Sequence, residues 1–518
     1  MLSKINSKHL IVFISVLLYL PLIMWDGYFL DDNYRSVVGY YAWSGDYRPL
    51  ADYVYYVLGL GQDFVDTYPL NYIVQFLGLS YFIQYLSSQL IERWEIDLPY
   101  HNYVIMAIFA IFFSPFFIQN LYFRYDSLTM MLSVLLVMAT LVIENKKYHF
   151  AMLLVGLLLY QPTVIAYGVI TCFRALLLIK NQSSRKTIYQ EIFINWAILM
   201  LAIAVFFAIS KLLLTGNTYA KSHFELVTSL QDIQENLAKS LDNLYFSNLL
   251  TDYGIWLGLG VLALIAVFQL LSSNRYLRAF DKLLIGAGII LVLVISVINV
   301  NIILYVPRLH SRIYVPVGFV LFFILFFTVI AFHNIAQFQL KKYYRFFQFC
   351  FFYVVLLLVN IYYSAYNYNQ EMDKNSDVML SYLVYDLMTY KDISMIMTNG
   401  WSKESERASV LSKRFPVLKY VYSHKFDTNV HRMIYTLLIN NGISFKKDGF
   451  RSLETVKQYN HNLNTKADIS NQTYDVVVEN VDVMEENKPK TMQNVFIYFK
   501  NEEGERIPLP LVNHRLSN

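Results

Sequence analysis

Trp25-Asp26-Gly27-Tyr28-Phe29-Leu30-Asp31-Asp32-Asn33-Tyr34-Arg35 follows directly on the first apolar run of the chain. Trp43-Ser44-Gly45-Asp46-Tyr47-Arg48-Pro49-Leu50 comes shortly after it. Carboxylates, arginines and aromatic rings crowd together here, in a chain of 518 residues that is 56% hydrophobic and only 15% charged. An ordinary soluble protein carries about 25% charged residues. The deficit of charge, with apolar residues gathered in long blocks, marks a polytopic α-helical membrane protein. The quoted stretch is therefore a polar island at a bilayer surface, and the fold follows from how the apolar blocks hold it there.

Apolar segments long enough to be spans fall near 9–25, 68–90, 102–119, 126–143, 147–160, 163–179, 191–214, 253–271, 283–304, 313–332 and 347–365. That is about 11 transmembrane helices. Gln161-Pro162 divides a region in which two short helices, or one helix kinked at the proline, must fit. Lys and Arg collect in cytoplasmic loops, and this rule decides between the two. With eleven spans, fourteen of the loop Lys and Arg residues lie on the N-terminal side and seven on the other. Merging the doubtful pair reverses the bias, so eleven spans with a cytoplasmic N-terminus are expected. Lys4 and Lys8 precede the first apolar run with no small-residue cleavage site after it, which reads as a retained first span.

This topology puts a first outer loop at 26–67 on the non-cytoplasmic face. With it go Arg124-Tyr125-Asp126, Arg308-Leu309-His310-Ser311-Arg312 and the loop 215–252. That loop carries a helical pattern near 224–246, placed along the membrane surface or against the spans. Residues 1–369 form the transmembrane module. Hydropathy falls after about residue 366, so residues 370–518 read as a small soluble α/β domain on the same outer face. Helix is expected at 378–388 and 428–440, and strands at Ile393–Met397, Tyr474–Val478 and Val495–Phe499. The net charge of +4 is too small to suggest nucleic acid. Cys172 and Cys350 both lie in apolar blocks, as core fillers rather than a disulfide or a metal pair.

Asp31, Asp32 and Arg35 fall on one face of a short helix beginning near Asn33. The same arrangement serves as a helix cap with a surface ion pair. At the membrane boundary a carboxylate can also act as a general base on a hydroxyl. Tyr34 and Trp43 belong to an aromatic belt and equally offer flat faces for sugar rings. Five of the seven basic residues in the outer loops are arginines: Arg35, Arg48, Arg124, Arg308 and Arg312. The guanidinium fork suits phosphate better than an ammonium does, and a lipid phosphate would lie at this depth. His310 sits between two of them. Arg124 and Asp126 could pair with each other; Asp126 could cap the helix that follows, reach a sugar hydroxyl, or orient Arg35. Gln161 could satisfy backbone opened by Pro162 or contact sugar. Arg174 and Lys211, near span ends, can snorkel.

The run Leu30-Asp31-Asp32-x-x-Arg35-x-x-x-Gly39-x-x-x-Trp43-x-x-x-x-Arg48-Pro49-Leu50 resembles the N-terminal signature of the bacterial Gtr type-II glucosyltransferases, the serotype-converting enzymes that decorate O-antigen. Three later segments agree with that family in order and spacing. They are Ser114-Pro115-Phe116-Phe117-Ile118-Gln119-Asn120-Leu121-Tyr122-Phe123-Arg124-Tyr125-Asp126-Ser127, then Leu159-Tyr160-Gln161-Pro162, then Arg312 at the start of a span. The likeness covers roughly residues 25–330; beyond them only the architecture agrees. One departure is Tyr47, where the family often has glycine directly before the arginine.

The resemblance implies a GT-C-like fold with its active site in the first outer loop, in the bacterial cytoplasmic (inner) membrane. It implies an undecaprenyl-phosphate-linked hexose donor, glucose in the type case. The acceptor would be a surface polysaccharide such as O-antigen or its lipid-linked repeat. A small flippase and a polyprenyl-phosphate glucosyltransferase would be pathway partners. The expected chemistry is inverting transfer with Asp31 or Asp32 as base and the five arginines on the phosphate, with Asp126, Trp43, Tyr34, Gln161 and His310 facing sugar. No cofactor is required, although Asp31-Asp32 could hold a divalent cation. Two other readings use the same features: a polysaccharide polymerase, and a non-enzymatic transporter of lipid-linked glycan. Charge clustered at one face, rather than along a path through the spans, counts against the transporter.

Overall fold

A computed structural model describes residues 5–25, 27–29, 32, 35–36, 39–61, 64–213, 226–246, 253–298, 300–304, 310–337, 341–390, 393–399, 404–422, 438, 445–448, 465–470, 474–485, 488–500 and 506. These form two compact units. The first comprises residues 1–27, 39–366 and 415–421, and the second residues 28–38, 367–414 and 422–518.

The first unit is helical. Its elements are α1 (Ser7–Met24), α2 (Pro49–Leu58), α3 (Leu70–Trp94), α4 (His101–Phe109), α5 (Pro115–Tyr122), α6 (Ser127–Ala139), α7 (Lys146–Leu159), α8 (Tyr167–Lys180), α9 (Arg185–Leu213), α10 (Leu230–Phe246), α11 (Tyr253–Ser273), α12 (Ala279–Ile298), α13 (Val315–Gln337) and the first part of α14 (Lys341–Leu387). Among the described residues six helical segments are long and apolar enough to cross a membrane: Ser7–Met24, Gln161–Lys180, Arg185–Leu212, Ala279–Ile298, Val315–His333 and Gln348–Leu387. Of the other apolar segments, α11 is an apolar helix of 21 residues, and the rest make shorter or less apolar helices. The run at 102–119 is cut in two, because Ser114 leaves the helix, caps the next one through its hydroxyl and is followed by Pro115 at the first helical position. The region around Pro162 is also two helices. α7 ends at Leu159, Tyr160 is extended, and a 3₁₀ turn at Gln161–Ala166 leads into α8.

α13 is the buried centre of this unit. Its Phe322, Phe323, Phe326 and Phe327 surround Phe173 of α8, and Phe326 and Phe327 also meet Trp94 of α3 edge-on. The peripheral helices are the reverse. Phe193 on α9 and Phe280 and Leu283 on α12 are among many large apolar side chains left exposed. Contiguous apolar surface on this scale fits a lipid surround rather than water. The unit is that of an α-helical membrane protein.

Two polar features tie elements of this unit together. α10 lies against the segment joining α12 to α13. Asn236 donates to the carbonyls of Ile302 and Leu304, each at 3.0 Å, and Ser240 donates to that of Ile298 at 2.7 Å. Arg174 does not snorkel to the surface but is buried. It donates to the carbonyls of Thr140 and Ile143 at 3.1 and 2.9 Å, the groups left open where α6 ends, and pairs with Glu191 at 2.6 Å.

The second unit takes the rest of α14, then β1 (Ile393–Asn399), α15 (Glu406–Arg414), β2 (Phe445–Asp448), β3 (Ile469–Ser470), β4 (Tyr474–Glu485) and β5 (Lys488–Phe499). A further short helix, α16 (Leu418–Val421), returns to the first unit. The sheet order is β2-β1-β5-β4-β3, with β1 parallel to β2 and β5 and the β3-β4-β5 part antiparallel. Leu380, Leu383 and Leu387 of α14 bury one face against Ile393, Ile396, Val476, Val495 and Ile497. The helix expected at 378–388 is the end of α14, which begins before residue 370 and runs straight through it. The one expected at 428–440 lies, except for Leu438, outside the described residues. β4 and β5 extend well past the apolar runs that announced them, pairing as far as Glu485 and Lys488.

Candidate functional site

The part of the 26–67 loop that belongs to the helical unit is built around α2. Pro49 starts the helix, and Asp52 in its first turn accepts the backbone N–H groups of Trp43 and Ser44 at 3.0 and 2.7 Å. This folds Trp43–Asp46 into a 3₁₀ turn. Tyr47 then takes φ 59° and ψ 33°, the left-handed region that glycine adopts without cost. The departure from glycine noted in the sequence thus falls on a backbone that still has the glycine-type conformation. Burial of the Tyr47 ring accompanies it.

That path aims Trp43 and Arg48 at the turn before α6. Trp43 is fully buried and stacks on Tyr55 with ring centroids 4.9 Å apart, and its Nε1 donates to Asp126 Oδ1. Arg48 is buried as well. Its Nε donates to the Leu159 carbonyl at 2.7 Å, and its Nη2 reaches Asp126 Oδ1 at 3.3 Å and Thr129 Oγ1 at 3.2 Å. Asp126 holds the N-cap position of α6 but its side chain makes no cap bond; it serves Trp43 and Arg48 instead. Gln161 donates to the carbonyls of Asp46 and Tyr47 at 3.3 and 3.2 Å. Trp43 and Gln161 are therefore occupied in shaping this turn rather than offering an open face.

A second set of contacts ties in the turn before α13. The hydroxyl of Tyr160, whose ring lies under Arg48, donates to the Arg312 carbonyl at 2.8 Å. Asn120 donates to the same carbonyl at 3.2 Å. Gln119 accepts from Ser311 Oγ at 2.9 Å and from the Arg312 N–H at 3.0 Å, and donates to the Val421 carbonyl at 3.3 Å. The Arg312 guanidinium rests over the Phe123 ring, 4.8 Å from its centre. His310 is exposed just before this turn. Arg124 does not pair with Asp126. It meets Asp66 at 2.8 Å and stacks over Tyr68, while Asn71 donates to its carbonyl.

Four segments distant in sequence thus converge: 43–48, 119–129, 159–161 and 311–312. Trp43, Arg48, Asp126, Gln161 and Arg312 are brought together, and Arg124 stands two residues from Asp126. Asp32 and Arg35 belong to the second unit, where both are buried in helical backbone. Asp31, Tyr34 and Arg308 lie outside the described residues. Among the described residues no three His, Cys, Asp or Glu side chains gather as metal ligands. Sequence reasoning missed Asp52, Asp66, Asn71, Gln119 and Thr129. The neutral members of that set carry no charge to mark them, but Asn71, Gln75, Gln119 and Asn120 are all amides within apolar helices, and that was a usable signal.

No family model matches the chain, and no solved structure matches it. Over 137 residues the chain is 36% identical to a Salmonella phage P22 protein described as an uncharacterized 55.3 kDa protein in the gtrB 5' region. The matched part is 25% of this chain and 27% of that relative, so the chain spans about a quarter of the length of the relative it matches.

Proposed function

We propose that this chain is a membrane glycosyltransferase of the GT-C type that moves a hexose, glucose by the resemblance, from a polyprenyl-phosphate donor to a surface polysaccharide such as O-antigen. The observation that carries the reading is the convergence of Arg48, Asp126 and the Arg312 turn at one end of a helical membrane unit. The phage relative, described by its position beside gtrB, supports it. In this scheme Asp31 or Asp32 takes the proton of an acceptor hydroxyl. The freed oxygen bonds to the anomeric carbon as the bond from that carbon to the phosphate oxygen breaks, with inversion. Polyprenyl phosphate departs as an anion, and Arg35, Arg48, Arg124, Arg308 and Arg312 are the cations available to stabilise it. Asp126, with Trp43 and Gln161 behind it, fixes Arg48, while His310 and Tyr34 are left to face sugar. In this reading the site belongs to the extracytoplasmic face of the inner membrane.

The test is expression in a bacterium that makes O-antigen, with a polyprenyl-phosphate glucosyltransferase and its flippase supplied. Mass spectrometry and NMR of the glycan are expected to show one hexose added per repeat as a side branch, absent in an Asp31→Asn, Asp32→Asn double variant. Altered chain length without a branch would make the chain a polymerase. Transbilayer movement of the lipid-linked sugar with no change in glycan would make it a transporter.

A further inference from the structure

The first unit also holds an apolar groove, of about 450 Å³, between α1, α4 and the membrane part of α14. These helices run side by side in one direction and are tied together at both ends of the groove. At one end Ser7 donates to Asn102 at 3.0 Å, Asn102 donates to the Ile5 carbonyl at 3.0 Å, and Tyr103 meets Phe351. At the other, Tyr363 donates to the Leu17 carbonyl at 2.9 Å and Phe113 meets Tyr362 edge-on. Between the ties the helices stand apart, and small Ala110 leaves room. His9, Phe13, Ala110, Phe113, Phe352 and Val355 are among the lining residues, and apart from the His9 ring the lining is apolar. The volume lies within the roughly 300–1,000 Å³ of ligand pockets. Water gains nothing in such a site.

The groove lies along the N-terminal part of α1, away from the arginine site. Trp25, at the far end of α1, packs on Tyr122, and Ile23 accepts from the Tyr68 hydroxyl beneath Arg124. His9 is about 20 Å from Ile23 along the helix. By helix spacing two cations stand toward the His9 end, just outside the lining itself: Lys8, beside His9 in sequence, and Arg345. Lys8 and His9 are exposed, and Arg345, also exposed, precedes Phe352 by about two turns of α14. The carboxylate that the chain brings near the start of α4, Asp97, is turned to His333 at 3.3 Å.

We propose that this groove holds one acyl chain of an anionic phospholipid from the leaflet at the His9 end, with the headgroup phosphate held by Lys8 and Arg345. Apolar lining selects a hydrocarbon chain, and the two cations beside it select the sign of the headgroup. The site is separate from the donor and independent of the glycosyl-transfer reading.

The full-length protein in nanodiscs, labelled with phosphatidylglycerol bearing a photoreactive acyl chain, tests this. Crosslinked peptides are expected from residues 5–17, 106–113 and 352–359, with labelling by phosphatidylglycerol exceeding that by the phosphatidylcholine analogue by roughly fivefold or more. Ala110→Trp, which fills the groove, is expected to abolish labelling by both. Lys8→Gln with Arg345→Gln, at exposed positions, is expected to bring the two lipids level while keeping the crosslinked peptides the same. Equal labelling of the unaltered protein by both lipids would overturn the proposal. So would labelling that survives a folded Ala110→Trp variant, or displacement of phosphatidylglycerol by an equal amount of undecaprenyl phosphate. If Ala110→Trp does not fold, the charge variant decides alone.

Discussion

Arg48 and Asp126 form a buried ion pair, Nη2 to Oδ1 at 3.3 Å, between the loop before α2 and the turn before α6. Each ion keeps a second partner, the Leu159 carbonyl for Arg48 and the Trp43 indole for Asp126. Breaking a buried pair by removing one partner costs about 3–5 kcal/mol. Arg48→Met and Asp126→Leu should each lower the melting temperature in detergent strongly. The double variant should lose less than the two single losses added together. Hexose transfer should vanish in all three. Strict additivity of the stability losses would show that the pair is not coupled.

Gln119 is the joint of the Arg312 turn. Gln119→Leu leaves the Ser311 hydroxyl, the Arg312 N–H and the Val421 carbonyl without their amide partner, and a buried group left so costs about 1–3 kcal/mol. The expected result is faster hydrogen exchange at the Arg312 amide and reduced transfer, with Arg312 itself still present. Gln119→Glu keeps the acceptor for Ser311 and Arg312 and should fall between Leu and the native residue. Unchanged exchange at Arg312 in Gln119→Leu would remove Gln119 from this role.

The arginines and Asp126 were legible in the sequence because a charge in a greasy chain is costly and so conspicuous. Their pairings were not. Arg124 and Asp126, two residues apart, look like partners, yet the chain crosses them: Arg124 goes to Asp66 and Asp126 to Arg48. Sequence distance says nothing of this, because the partner is chosen by where α2 and α3 return to the turn. Apolar runs located the helices but not their breaks, since Ser114-Pro115 interrupts a stretch of unchanging hydropathy. In the sheet, Val476, Val495 and Ile497 announced the inner halves of β4 and β5. The outer halves, with Asp482, Lys488 and Lys490, carry only a short alternation, Val481 and Val483, broken up by charge. Arg174 lies near a span end, and only the carbonyls freed by the end of α6 explain why it turns inward.

Asp475 anchors the second unit's sheet, taking hydrogen bonds from Lys500 at 2.7 Å, Arg506 at 2.8 Å and Ser470 at 2.6 Å. Burial pushes its carboxyl up, but the hydrogen bonds from Lys500, Ser470 and Arg506 outweigh burial and hold it below the usual carboxylate range. A carboxyl depressed by folding adds stability above its unfolded value of about 3.9, and that stability is lost as pH falls through the folded value. Amides of β4 and β5 should therefore stay protected from pH 7 down to about 4 and lose protection below it. Asp475→Asn should be weaker at pH 7 and show a flatter acid limb. An acid limb identical to that of the unaltered protein would place the acid sensitivity elsewhere.

Arg174 offers the sharpest contrast between charge and shape. Its Nη1 donates to the carbonyls of Thr140 and Ile143, its Nε pairs with Glu191 and its Nη2 with Glu144. Glu191 has a second cation in Lys146, and Glu144 a second in Arg93. Both carboxylates therefore keep a counter-ion when Arg174 is removed, whereas the Thr140 carbonyl at the end of α6 loses the Arg174 donor, and Ile143 retains its contact with His149 Nε2 at 2.8 Å. Arg174→Lys preserves the charge but offers a compact ammonium that cannot reach carbonyls and two carboxylates at once. If the role is to close the end of α6, Lys should rescue little of the loss seen in Arg174→Ala, about 1–3 kcal/mol for a buried carbonyl left without its donor. Glu144→Gln, at an exposed side chain, should change stability slightly. The measurement is melting in detergent, with amide exchange at residues 140–143 as the local readout. Full rescue by Lys would mean that charge alone is needed there.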